Sequence, residues 1–376
     1  MKNNNFIYLD NAATTKPLEA VVALFVESEK ENFSNPNSIH ALGVLNANQL
    51  QKSRESILHS FKLKRHKVIF TSSSTEANNL AIKGYCLKYS NRGKHIITSN
   101  IEHPSVLECF NQLKEQFGFE VTILNVNEKG IVEPSKLLEA MRQDTILVSI
   151  MALNNEIGSI NPIKEIAEIV HKFPKANLHV DTTQAIGKID LDYSNIDMFV
   201  VSAHKIHGLK NSGALIYKSS LSFLPLLSGG GQEEGFRSST VSVSNARALD
   251  LAISLSLKED RTKIGELRNR LVDGLKDIEG VELNSNKECS PYIINFSLKN
   301  KKASVVVESL SNKGIYVSSV SACNSKKEAS SYVVKAIGKS DLLAHNTVRV
   351  SFSKDNTIED VDIFLSELNN TLRSIR

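Results

Sequence analysis

Met198-Phe199-Val200-Val201-Ser202-Ala203-His204-Lys205-Ile206-His207-Gly208 runs from four apolar residues into a polar turn. The apolar part reads as a buried strand, and Gly213-Ala214-Leu215-Ile216-Tyr217 reads as the next one. Similar runs lie upstream: Val68-Ile69-Phe70, His95-Ile96-Ile97, Val121-Thr122-Ile123-Leu124, Ile146-Leu147-Val148-Ser149-Ile150-Met151 and Leu178-His179-Val180-Asp181. Helical patterns separate them, opening at Thr75, after His103-Pro104, at Pro134 and at Ile163. This alternation predicts an α/β fold, a mostly parallel sheet covered by helices on both faces. Ligands of such sheets sit beyond the carboxyl ends of the strands, and the polar sets fall there.

Outside this block the pattern changes. Tyr8-Leu9-Asp10-Asn11-Ala12-Ala13-Thr14-Thr15 is a short strand-like piece running into small and polar residues, and Pro17 is expected in the first turn of a helix carrying Val21, Val22 and Phe25. A polar helix is expected over 46–61. Beyond Gly229-Gly230-Gly231 and a helix over 244–256, a charged helix (261–278), short strands near Ile293 and Tyr316, a helix (303–313), a strand at Val348 and a final amphipathic helix (358–372) suggest a smaller α+β domain. The expected division is 16–258 for the large domain, with 1–15 and 259–376 forming the small one.

The 376 residues carry 41% apolar and 23% charged side chains and a net charge of +4, an ordinary globular balance and too mild for a nucleic-acid or anionic-membrane partner. No apolar run is long enough to cross a bilayer, and the first residues show no signal region, so a cytoplasmic location is expected. Cys86, Cys109, Cys289 and Cys323 form no close pair and no metal-like spacing, which argues against a disulfide framework or a metal site.

Lys205 at the mouth of a buried strand has the setting that a Schiff-base lysine for pyridoxal phosphate (PLP) needs; by itself the motif also reads as a solvated lysine in a polar turn. PLP also needs a carboxylate at its ring nitrogen, a flat group on its ring face, and N–H and hydroxyl donors for its phosphate. Asp181 ends a strand and is placed to meet the ring nitrogen; it serves equally as a helix cap. Gln184, on the same turn, can bond the ring hydroxyl. His103 projects from a loop at the same edge, as a group facing the ring or as an ordinary surface histidine. Ser74, Thr75 and Glu76 open a helix, as a phosphate cradle or as plain capping. Ser202 and His204 flank the lysine as further phosphate donors. Asn155 follows the strongest strand, facing cofactor or substrate, or as a turn asparagine. Cys323 lies among Ser318 to Ser331 with almost no apolar neighbour, which predicts a mobile, exposed loop; Lys326 and Lys327 favour its thiolate, and without that context it reads as an incidental exposed cysteine. Cys86 and Cys109 read as inert core thiols.

In this order and spacing the chain resembles the cysteine desulfurases of the NifS/IscS-like group within the class V aminotransferases. The resemblance rests on Tyr8 to Thr15, Asn35-Pro36, Phe70 to Gly84, Glu102-His103, Asn154-Asn155-Glu156-Ile157-Gly158, His179 to Gln184, Ser202-Ala203-His204-Lys205, Gly229 to Glu233, Ser321-Ala322-Cys323 and Val348 to Phe352. It implies the type I fold of PLP-dependent transferases and a homodimer. Lys205 would carry the cofactor, Asp181 and Gln184 hold its ring, and His103 stack on it. Thr75, Ser202 and His204 would bind phosphate, and Thr240 would reach the phosphate of a neighbouring subunit. Asn35, Asn155 and Arg349 would hold the carboxylate of L-cysteine. Cys323 would take the sulfur as a persulfide, leaving L-alanine, and pass it to an acceptor protein for Fe–S assembly or tRNA thiolation. The resemblance also leaves open a selenocysteine lyase, a cysteine-sulfinate desulfinase or a non-catalytic binding paralogue. Some positions depart from the pattern: Ser239 replaces glycine and is expected to tighten a turn, Glu234 stands where arginine is common, Leu209 and Asn211 replace proline and glycine, and Glu328-Ala329-Ser330-Ser331 replaces Leu-Glu-Pro-Ser. These put the usual scaffold partner in doubt.

Overall fold

The computed structural model describes residues 6–319 and 330–375. In chain order the strands are β1 (Ile7–Tyr8), β2 (His66–Thr71), β3 (His95–Ser99), β4 (Glu120–Leu124), β5 (Thr145–Ser149), β6 (Asn177–Asp181), β7 (Met198–Ser202), β8 (Gly213–Lys218), β9 (Val281–Leu283), β10 (Ile293–Leu298), β11 (Ile315–Tyr316), β12 (Ser318–Ser319) and β13 (Thr347–Ser351). Seven form one sheet in the order β2-β8-β7-β6-β5-β3-β4. Neighbours from β4 to β7 run parallel, and β8 lies antiparallel between β7 and β2.

β5 and β7 are buried at every residue, so they read as unbroken apolar runs. Alternate residues still part company across the sheet: Val148, Val180 and Val201 join one core, and Leu147, Val200 and Leu215 join another. Helices cover both faces, and each buried Val, Ile or Leu stabilises by about 1.5–3 kcal/mol. A third core gathers Leu9 and Ala12 with residues from Ile264 to Leu368 around the antiparallel sheet β12-β13-β10-β9. β1 pairs in parallel with β11, and Asp10 bridges to Ser351. The N-terminal strand is therefore tied to the C-terminal sheet, and residues 10–15 emerge from it toward the carboxyl ends of β6 and β7.

Three local expectations need correction. Pro17 precedes the first helix, which runs Glu19–Glu31 behind Leu18. The helix expected from residue 46 begins at Ala41 and ends at Ser60. Its first turn exposes Leu42, Val44 and Leu45 and packs Gly43 onto the Ser38 carbonyl, so it carries no inward apolar stripe. Ser239 does not adopt a positive φ, so no glycine-type strain arises there, whereas Asn211 does (φ 56°), a conformation asparagine tolerates in place of glycine. Glu234 pairs with Lys67 at 2.7 Å, both exposed, a contact contributing at most about 1 kcal/mol.

Candidate active site

The helix Ser74–Asn79 and the carboxyl ends of β3, β5, β6 and β7 deliver the polar groups to one edge of the sheet. Lys205 sits in the tight turn Ala203–Lys205 directly after β7. Its Nζ donates to the carbonyls of Ala12 (2.7 Å) and Ala13 (2.6 Å). Gln184, buried, donates from Nε2 to the same Ala12 carbonyl (2.8 Å). His204 Nδ1 lies 3.1 Å from Thr14 Oγ1, and Thr15 donates to the His204 carbonyl from both its N–H (2.8 Å) and its hydroxyl (2.9 Å). Arg349 donates from Nη2 to Asp10 Oδ1 (2.8 Å) and from Nη1 to the Asn155 carbonyl (3.0 Å). Residues 10–15 are thus the floor on which Lys205, Gln184, His204 and Arg349 converge.

Asp181 ends β6 and is buried. Its Oδ1 accepts from Thr183 N–H and its Oδ2 from Asn78 Nδ2, each at 2.9 Å. His103 caps the helix Pro104–Phe117, with Nδ1 accepting from Ser105 N–H (3.1 Å). Its ring is exposed, yet the protein behind it lowers its pKa by desolvation; the Asp181 charge opposes this and Lys205 adds to it. Burial, then the charges of Lys205, Lys210 and Lys188, push His204 down to about 4, so its imidazole is neutral at pH 7. A cavity of about 360 Å³ is lined by His103, Asn155, Glu156, Asn295 and Arg349, together with Ser319 and Ser330.

The remaining predicted residues lie apart or outside. Thr75 shares a cleft with His103 and Ser105. Thr240 is exposed and lines a separate cavity with Ser72, Gly213 and Arg237. Asn35 is exposed in a turn where its Oδ1 accepts from Asn37 N–H (2.9 Å), away from Arg349's cavity. Cys323 lies outside the described residues.

The donor set fits PLP. Ser202 Oγ is buried without a partner among the described residues, which is costly unless a ligand accepts from it. Helix geometry leaves the N–H groups of Ser74 and Thr75 without intrahelical acceptors. Asp181 presents a buried carboxylate as acceptor for a ring N–H.

A family model for class-V aminotransferases matches residues 7–364. The chain belongs to that family, among its NifS/IscS-like cysteine desulfurases. It is 38% identical over 368 residues to a NifS/IcsS protein homolog of Lactobacillus delbrueckii subsp. bulgaricus, covering 96% of this chain and 95% of that one. It is 38% identical over 379 residues to the cysteine desulfurase IscS of Methanosarcina thermophila, covering 99% and 93%. Among solved structures, a NifS-like protein superposes with a TM-score of 0.91 at 34% identity, over 98% of this chain and 100% of that one. SspA in complex with cysteine superposes at 0.81 with 29% identity, over 92% and 98%. The fold is the type I fold of the family's PLP enzymes.

Several residues of this desulfurase-family site escaped the sequence reading. Ala12 and Ala13 act through backbone carbonyls, which no side-chain pattern reveals. Asn78 and Ser105 carry helix-surface signals only. Lys188 is buried and donates to Gln184 Oε1 (2.8 Å); burial first, then the charges of Lys205 and Arg349, lower its pKa to about 7. Glu102 is fully buried, and its Oε1 accepts from Ser99 Oγ (2.6 Å) and Met151 N–H (2.9 Å). Desolvation, aided by the Asp181 charge, raises its pKa from 4.5 to about 8. Glu102 is therefore protonated in the fold but ionised in the unfolded chain between those values, so the stability it contributes is lost as pH rises from about 4.5 to about 8. Glu102→Gln keeps the acceptor and removes that dependence. Measured by denaturant unfolding, the variant should gain about 2–4 kcal/mol on wild type between pH 5 and pH 8; parallel curves would refute the assignment.

Proposed function

We propose that this protein is a PLP-dependent cysteine desulfurase, an enzyme removing sulfur from L-cysteine and leaving L-alanine. The observation that carries the reading is the convergence of Lys205, Gln184, His204 and Arg349 on residues 10–15, with Asp181 and His103 at the same edge. When bound, PLP withdraws electrons from the substrate's Cα. Asp181 accepts the N–H of its ring, Gln184 bonds the ring hydroxyl, and His103 covers a ring face. Thr75, Ser202 and His204 hold the phosphate, with Thr240 reaching the phosphate of a second copy in a homodimer. The Lys205 amine takes the proton from the substrate's Cα.

Arg349 and Asn155 hold the substrate carboxylate; Asn35, expected beside them, does not line their cavity. A guanidinium has five N–H donors, and Asp10 and Asn155 occupy two of them. Cys323 accepts the sulfur: its thiolate attacks the substrate sulfur, the S–S bond forms as the C–S bond breaks, and the substrate's Cβ gains a proton to become methyl. The sulfur is oxidised and the carbon reduced, so no outside oxidant is needed. Chain connectivity supports this role. Ser319 lines the cavity, and four residues of chain span at most about 14 Å from it to Cys323.

The same reading divides the chain at 16–258 and at 1–15 with 259–376; the core that joins Leu9 and Ala12 to residues 264–368 supports it, while Val333, Val334, Ile337 and Ala344 pack into the core of the large sheet. It places the protein in the cytoplasm, passing persulfide sulfur to an acceptor protein for Fe–S assembly or tRNA thiolation. Among the described residues no helix is long and apolar enough to cross a membrane. Purified protein given L-cysteine should show a change in the visible band of its lysine-bound cofactor and form alanine and persulfide sulfur in equal amounts. A band that ignores cysteine, with no alanine formed, overturns the reading.

A further inference from the structure

Asn78, on the helix Ser74–Asn79, is fully buried between β6 and the helix Pro104–Phe117. One amide nitrogen makes two contacts there: Asn78 Nδ2 lies 2.9 Å from Asp181 Oδ2 and 2.9 Å from Ser105 Oγ. Ser105 Oγ in turn lies 2.8 Å from His103 Nδ1. The donor directions along this line are settled by chemistry. Asn78 Nδ2 donates to Asp181 Oδ2, so the amide turns its NH₂ toward Asp181. The second hydrogen of that NH₂ then occupies Ser105 Oγ as an acceptor. The Ser105 hydroxyl hydrogen is left to donate to His103 Nδ1, which also accepts the Ser105 N–H.

We propose that Asn78 and Ser105 are positioning residues that join Asp181 to His103 and fix the histidine as the neutral tautomer with its proton on Nε2. Two donors already occupy Nδ1, so proton exchange at His103 runs through Nε2 alone. The cost of reversing the line falls on imidazolium formation: a proton on Nδ1 would face the Ser105 N–H, and the hydroxyl could accept it only by turning away from its present alignment. The two groups proposed to flank the cofactor ring, one at its nitrogen and one on its face, are thereby held by a single buried amide. Asn78 Oδ1 is buried without a partner among the described residues. That unmet acceptor is the cost of turning the NH₂ toward Asp181 and Ser105.

The proposal rests on the reading of Asp181 and His103 as cofactor residues, but its test does not. The measurement is the pH titration of the His103 ring C–H resonance in purified, cofactor-loaded protein, assigned by its loss in His103→Gln. Ser105→Ala removes the hydroxyl donor that favours neutral His103. Asn78→Ala frees that hydroxyl to turn and accept from imidazolium. Both should raise the His103 midpoint by about 0.5–1 pH unit, while Ser105→Thr, which keeps the hydroxyl, should stay near wild type. A purely structural role would lower thermal stability without moving the midpoint. If Asn78→Ala fails to fold, Ser105→Ala and Ser105→Thr decide alone. Unmoved midpoints in folded variants, with alanine still formed from cysteine by wild type, overturn the relay and leave the desulfurase reading standing. Raised midpoints in a protein that forms no alanine support the relay and overturn the desulfurase reading.

Discussion

Lys205→Ala should lower alanine formation from L-cysteine by at least about 1,000-fold, the cost of losing a nucleophilic amine that also serves as the base. The visible band of the lysine-bound cofactor should vanish with it. The fold should survive, because Lys205 lies at the edge of the sheet, where it donates to the Ala12 and Ala13 carbonyls. Those contacts contribute about 1–3 kcal/mol between them. Lys205→Arg separates the two roles. It keeps a cation over the same carbonyls but offers no primary amine, so it should match the alanine variant in activity and exceed it in thermal stability. Residual activity within tenfold of wild type in either variant would exclude Lys205 as the amine that carries the chemistry.

Cys323→Ala should lower alanine and persulfide formation by at least about 100-fold, because none of the described cysteines can take its place. Cys86, Cys109 and Cys289 are buried, and burial raises the thiol pKa of each, that of Cys289 to about 11, so they are protonated at pH 7. Cofactor binding should not change, since Lys205, Asp181 and Gln184 are untouched. The spectral response to cysteine should therefore persist in Cys323→Ala while product formation stops, and Cys323→Ser should behave alike. Sulfide release at the wild-type rate from Cys323→Ala would show that sulfur leaves by direct elimination and not through this thiolate.

The two predictions draw on different levels of the molecule. Lys205 was legible as a candidate reactive lysine because β7 is apolar throughout and ends abruptly in Ser202-Ala203-His204-Lys205. Asp181 and His103 were legible for the same reason: in a parallel sheet the carboxyl ends of the strands share one edge, so a polar residue just past an apolar run is directed to the site. Arg349 was different. Nothing in Val348-Arg349-Val350 directs it toward a lysine some 140 positions earlier, and only the match to a family pattern placed it there.

The sequence by itself determined the α/β class and most strand positions and singled out the groups proposed to react, because burial periodicity and side-chain chemistry are local properties. Tertiary structure alone decided how those groups meet. The pairing of β1 with β11 and of Asp10 with Ser351 carries residues 10–15 from the C-terminal sheet to the ends of β6 and β7. There the carbonyls of Ala12 and Ala13 gather Lys205 and Gln184, and Asp10 holds Arg349. Asn78 became a link between Asp181 and His103 only when its helix packed against β7, β8 and the helix that His103 caps, which brings its amide to Asp181 at the end of β6. Backbone carbonyls have no sequence signature, and a buried amide acquires its role from the acceptors packed around it, which long-range packing sets.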